Sequence, residues 1–138
     1  MSNYASYSSL GVDPKAPSPE SMATIPLITS TDHRNALIHK YLILVIDNFT
    51  DWCGPCKSVS PLFAQLAQQY QNTYPNQIGF IKENVEHKHS GAPTVRGVPC
   101  FHFYVKSNYI PELTVTGGDI KSVKTKIDEI LTNLHMKK

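Results

Sequence analysis

The sequence predicts an α/β fold in which a central mixed β-sheet of about five strands is flanked by helices on both faces. Three observations carry that expectation. Residues 41–49 (YLILVIDNF) form a nearly unbroken apolar run with β-branched side chains, the pattern of a strand buried on both faces. A segment with helical spacing, residues 61–70, separates it from a second apolar run at 78–85, and strands joined by a helical crossover lie parallel. Two more short runs follow, then an amphipathic helix that must bury its apolar face on the sheet.

Residues 1–21 are rich in Ser, Pro and Tyr and show neither helical nor alternating apolar spacing, so they read as a flexible extension. A docking arm anchored through Tyr4, Tyr7 and Leu10 is the functional alternative. The folded domain is expected over residues 22–138. Residues 24–29 read as an edge strand, because Pro26 is tolerated only where a ladder donor is dispensable. A short helix follows, with Ser30 or Thr31 as its cap. The central strand runs directly into Trp52-Cys53-Gly54-Pro55-Cys56-Lys57, and the next helix carries Pro61 as a site for a kink. Residues 100–106 and 112–116 read as a hairpin turning near Ser107-Asn108. After Gly117-Gly118, Asp119 caps a helix whose apolar face is Ile120, Val123, Ile127, Ile130, Leu131 and Leu134. The order is β-α-β-α-β followed by β-β-α.

Composition narrows the function. The 138 residues carry 13 basic and 11 acidic side chains, a net charge of +2, which offers no concentrated footprint for nucleic acid or an anionic membrane. No run approaches the ~18–20 apolar residues of a spanning helix, and the N-terminus has neither a secretory signal nor the arginines of a transit peptide. Three cysteines are too few for a disulfide scaffold, and two of them stand in a Cys-x-x-Cys spacing that in a reducing compartment means redox chemistry or metal. A soluble, cytoplasmic, monomeric protein is expected.

Two thiols two residues apart at a helix start close into a tight disulfide. Cys53 lies at the positive end of the helix dipole beside unpaired backbone donors, both of which favour thiolate, so it is the expected nucleophile and the only well exposed thiol of the pair. Cys56, one turn further in, is placed to attack the mixed disulfide and release the product. Gly54 and Pro55 keep the turn short, and Trp52 offers a flat apolar rim. Zinc is the competing chemistry, with His87 and His89 beside Cys53, Cys56 and Cys100, but no second pair stands at ligand spacing, so no metal is expected.

The WCGPCK run resembles the signature of the thioredoxin family, and the likeness extends over residues 22–138. It implies a thioredoxin fold and a protein-disulfide reductase with no bound cofactor, recycled indirectly by NADPH through a thioredoxin-reductase-like donor and acting on disulfide-containing proteins. It also implies roles for residues outside the motif. Asp47 matches the buried aspartate behind the resolving cysteine, and Lys82 the lysine beside it. Pro61 matches the mid-helix proline, Val98-Pro99 the hydrophobic residue and cis-proline that face the cysteines, and Gly117 the glycine that completes the substrate groove. A desolvated Asp47 would accept a proton from Cys56 while Lys82 moderates its pKa. A merely structural Asp–Lys pair is the alternative. Within the class a thiol oxidase is the runner-up, and a binding or assembly module on the same fold is the alternative outside it.

Three departures from the family pattern stand out. Asn48 and His102 occupy strand positions usually filled by large apolar side chains, and they are expected to satisfy each other. The segment between residues 84 and 99 is short, which trims a helix. Cys100 replaces a threonine after Pro99; strand alternation sends it toward the active-site helix or toward the opposite layer, and a buried, inert thiol is expected.

Overall fold

The computed structural model describes residues 25–87, 89 and 91–136. The extension expected over residues 1–21 lies outside them. Helix α1 (Thr31–Lys40) starts where Ser30, as N-cap, accepts the His33 N–H at 2.9 Å. Losing that acceptor leaves a first-turn donor unpaired, so Ser30→Ala is expected to lower stability by about 1 kcal/mol in urea unfolding.

Strand β1 (Ile43–Phe49) is buried along its length except for a half-buried Phe49. It pairs parallel with β2 (Ile78–Asn84), Ile43 opposite Ile78 and Asp47 opposite Lys82. On its other side it pairs antiparallel with β3 (Cys100–Val105), Ile43 opposite Val105 and Asn48 opposite Cys100. The sheet order is β2-β1-β3-β4, with β4 (Asn108–Tyr109) and β5 (Val115–Thr116) both on β3. Helix α2 (Gly54–Thr73) crosses from β1 to β2 and contains Pro61 without ending there. Helix α3 (Ile120–Asn133) begins at Asp119, whose carboxylate accepts the Ser122 N–H at 3.0 Å.

Three expectations change. The edge strand of residues 24–29 shrinks to one parallel bridge, Leu27 to Lys82, held by Ile28 N–H to the Lys82 carbonyl and Lys82 N–H to the Pro26 carbonyl, each 2.9 Å. Pro26 has no N–H with which to continue that ladder. The strand of residues 112–116 is interrupted because Pro111 opens a 3-10 turn, Pro111–Leu113, leaving only Val115–Thr116 extended. The hairpin turns at Lys106-Ser107, both with positive φ (51° and 70°), one residue earlier than the sequence suggests. Between β2 and β3 the described chain forms a 3-10 turn, Val85–His87, in place of a helix. Gly91, Pro93, Gly97 and Pro99 follow, and that density of breakers disfavours helix.

Helices α2 and α3 pack on one sheet face, where the Phe63 ring sits 5.5 Å from those of both Phe80 and Phe101. Helix α1 covers the other face over Leu44, Ile46, Ile81 and Tyr104. That layer is unusually polar. Arg34, 1% exposed, donates to Glu83 at 2.8 Å and to the Tyr104 hydroxyl at 2.7 Å. Asn48 donates to the Cys100 carbonyl at 2.9 Å and lies 3.2 Å from His102 Nδ1, so the two unexpected polar residues do meet. Arg34, Glu83, Tyr104 and Asn48 thus each find a partner, which offsets their desolvation, although Glu83 Oε2 makes no hydrogen bond among the described residues.

Candidate active site

Strand β1 ends at Phe49, and Thr50, Asp51 and Trp52 carry the chain round to Cys53 at the N-cap of α2. The Cys53 N–H donates back to the Thr50 carbonyl at 3.4 Å, closing that turn. Cys53 and Cys56 are joined in a disulfide with their Cα atoms 5.2 Å apart. The Cys56 N–H points at Cys53 Sγ, 3.0 Å away, one of the helix's unpaired first-turn donors. Pro55 sits within the first turn, where no intrahelical N–H is required. In the disulfide both cysteines are only 5% exposed, so the expected contrast between an open Cys53 and a covered Cys56 is absent. The reason is the bond itself, which turns Cys53 Sγ inward toward Cys56 and its N–H. Around this recessed sulfur pair Gly54 and Pro55 are exposed, and Trp52 is 71% exposed.

Asp47 projects from β1 beneath the start of α2 and is 5% exposed. Burial pushes its carboxyl up to about 7, against a partial lowering by the Lys82 ammonium on the neighbouring strand. Lys82 also lies over the Phe49 ring, 5.6 Å from its centroid. Asp47, Thr50, Cys56, Ser60 and Lys82 share a cleft of about 200 Å³. The sequence-derived partners of Cys56 therefore do gather behind it.

The Val98-Pro99 bond is cis, as the family resemblance implies. Pro99 is buried and Val98 half-buried. The Pro99 carbonyl accepts the Gly117 N–H at 2.8 Å, which ties the two groove loops together. Gly117 has φ +83°, a conformation that side-chain-bearing residues rarely adopt. A Cβ on the adjacent Gly118 would touch both Pro99 and Val59 at 3.8 Å, so these loops lie against the first turns of α2.

Cys100 resolves to the opposite layer. Phe101 and Phe103 belong to the α2/α3 core, so alternation turns Cys100 and His102 toward α1. Cys100 is 4% exposed, with its sulfur 3.7 Å from His102 Nε2. Among the described residues no group of three or more His, Cys, Asp or Glu is set to hold a metal. Sequence reasoning missed Glu86, which accepts the Trp52 indole N–H at 2.9 Å and so fixes the rim of the site. It missed Thr50 as well. No local pattern marks Glu86, since it reaches Trp52 only across the sheet; Thr50 stands in the turn that leads into Cys53 and carries no motif letter of its own.

A disulfide at a helix N-terminus, beside a buried carboxylate and a cis-proline loop at the end of a sheet covered by helices on both faces, defines a dithiol–disulfide oxidoreductase. Residues 24–129 match the thioredoxin family model, and the chain belongs to the thioredoxin family. It is 36% identical over 102 residues to Thioredoxin-like protein 1 of Schizosaccharomyces pombe, covering 72% of this chain and 33% of that protein, so it spans about a third of that relative's length. Thioredoxin Asp f 28 of Aspergillus fumigatus is 32% identical over 102 residues, covering 70% of this chain and 89% of that protein. Among solved structures, mitochondrial thioredoxin 3 of Saccharomyces cerevisiae in its oxidised form matches with a TM-score of 0.64 and 26% identity, covering 76% of this chain and 94% of that one. No described helix is long and apolar enough to cross a membrane.

Proposed function

We propose that this protein reduces accessible disulfides in other proteins, with Cys53 as nucleophile, Cys56 as resolving thiol and Asp47 as the base that serves Cys56. The observation that carries the reading is the Cys53–Cys56 disulfide at the N-cap of α2 with Asp47, its carboxyl raised to about 7, on the cleft that Cys56 also lines. In the reduced protein the helix end and the Cys56 N–H favour the Cys53 thiolate, which attacks one sulfur of a substrate disulfide and expels the other as thiolate. Asp47 then takes the Cys56 proton, and the resulting thiolate attacks Cys53 Sγ. The mixed disulfide breaks, the Cys53–Cys56 disulfide forms, and the substrate leaves with both sulfurs reduced. Two electrons have passed from the dithiol to the substrate. Lys82 tempers the rise in the Asp47 pKa. Trp52, Gly54, Pro55, Val98, Pro99 and Gly117 form the surface on which the substrate chain lies, with the Val98 backbone offered to an extended peptide.

The oxidised protein requires an external reductant, for which a thioredoxin-reductase-like donor drawing on NADPH is the fitting class. A monomer in the reducing cytoplasm suits this cycle, because exposed structural disulfides are rare there and a dithiol stays poised. Cys56→Ser removes the resolving step but not the attack. The variant is expected to accumulate covalent adducts with disulfide-containing proteins in native extract, stable on a non-reducing gel and released by excess dithiol. A variant that captures nothing by this route, while folded, sinks the assignment of Cys56 as resolving thiol.

A further inference from the structure

Thr50 has no part in the chemistry so far, yet it sits inside the site. Its carbonyl accepts the Cys53 N–H at 3.4 Å, and its side chain is buried, the residue being 4% exposed. The hydroxyl oxygen has no hydrogen-bond partner in the protein, and the same is true of Asp47 Oδ1. Both residues line the cleft of about 200 Å³ that Cys56 lines. A buried hydroxyl or carboxylate oxygen without a partner is costly, and one of each belongs here to two residues that line a single cleft. The cleft is roomy enough for water, and its walls supply the two or more polar partners an ordered water needs: a carboxylate that accepts and a hydroxyl that donates or accepts.

We propose that Thr50 is a positioning residue for the resolving step: its hydroxyl and the Asp47 carboxylate together hold a water against Cys56, and that water carries the thiol proton to Asp47. This rests on the reading of Asp47 as the base. The step is a proton relay. Cys56 S–H gives its proton to the water while the water gives one to the Asp47 carboxylate, leaving a Cys56 thiolate, a neutral carboxyl and the water unchanged. The thiolate then attacks Cys53 Sγ, and the substrate sulfur departs with the electron pair of the broken S–S bond. Without the Thr50 hydroxyl the water loses one of its anchors, so proton transfer slows while the attack by Cys53, which uses neither group, does not.

A symmetrical chromogenic aryl disulfide separates the two steps, because it releases one coloured thiolate when Cys53 attacks and the second when Cys56 resolves. Thr50→Val keeps the shape and removes the hydroxyl; Thr50→Ser keeps the hydroxyl. The Val variant is expected to slow the second phase about tenfold, the loss of roughly one hydrogen bond, with the first phase within about twofold of the parent. The pH midpoint of the second phase should also move upward, because the Asp47 carboxylate loses hydrogen bonding to its ionised form. Thr50→Ser should restore both rate and midpoint. If Thr50→Val leaves the second phase and its midpoint unchanged while Asp47→Asn slows it, the Thr50 role is overturned and the Asp47 role stands. If neither variant slows the second phase, the Asp47 reading fails and takes this inference with it. Equal slowing of both phases, or a Ser variant no faster than Val, marks Thr50 as structural and equally overturns the proposal.

Discussion

Cys53→Ser is expected to lower disulfide-reductase turnover by at least about a thousandfold, measured as precipitation of a reduced disulfide-linked substrate in the presence of a dithiol donor. A serine hydroxyl does not ionise at neutral pH, so neither the helix end nor the Cys56 N–H, 3.0 Å from the sulfur, can turn it into a nucleophile toward sulfur. The fold should survive the change, because Cys53 is the N-cap of α2 and serine is among the best N-cap residues. Loss of activity with an unfolding transition matching that of the reduced parent, which likewise lacks the disulfide, therefore reports chemistry. Cys56, 5% exposed at the first turn of α2, does not substitute, since no second thiol stands ready to release what it captures. Full turnover in this variant would exclude Cys53 as the attacking group.

The second large effect concerns Asp47 and pH. Its carboxyl titrates at 3.8 in an unstructured chain and at about 7 in the oxidised fold, raised by burial against a partial lowering from Lys82. Between those values the folded protein holds a proton that the unfolded chain has already released. Stability therefore falls as pH rises from about 4 to about 7 and levels off above, by on the order of 4 kcal/mol from this one group. Asp47→Asn has no such proton to lose. Its stability is expected to exceed that of the parent at pH 8 by a few kcal/mol, with the difference shrinking toward pH 4. Urea unfolding of both oxidised proteins across that range checks the slope, and parallel pH curves would remove Asp47 as the group responsible. The same variant should release a mixed disulfide at least about tenfold more slowly, with formation little changed, so that the residue that weakens the fold is the one that serves the chemistry.

Much of this was legible in the sequence. Strand β1 announced itself because a strand buried on both faces has to be apolar at nearly every position, and Ile43–Ile46 is. Helix α3 followed from its apolar spacing and its Asp119 cap, and the dithiol from a spacing that closes only at a helix start. These are local properties, written in residues that are neighbours along the chain. Proline also acted locally, yet its effect was underestimated: Pro26 and Pro111 each shortened a strand that apolar residues alone suggested.

What the chain could not disclose lies in contacts between distant residues. Arg34 meets Glu83 and Tyr104 across 49 and 70 positions, and Trp52 meets Glu86 across 34. Nothing around Arg34, Glu83 or Glu86 distinguishes them from solvated charges. The side to which Cys100 turns was open for the same reason. Alternation orders the residues of a strand relative to one another, but only the packing of Phe101 and Phe103 against α2 and α3 decided which face was which. The cover over Cys53 and the cleft joining Asp47 to Thr50 and Cys56 are likewise properties of assembled surfaces. A sequence fixes periodicity and caps through forces that act within a turn or two of the chain; burial and pairing depend on which surfaces meet, and those are chosen only when the whole sheet closes against its helices.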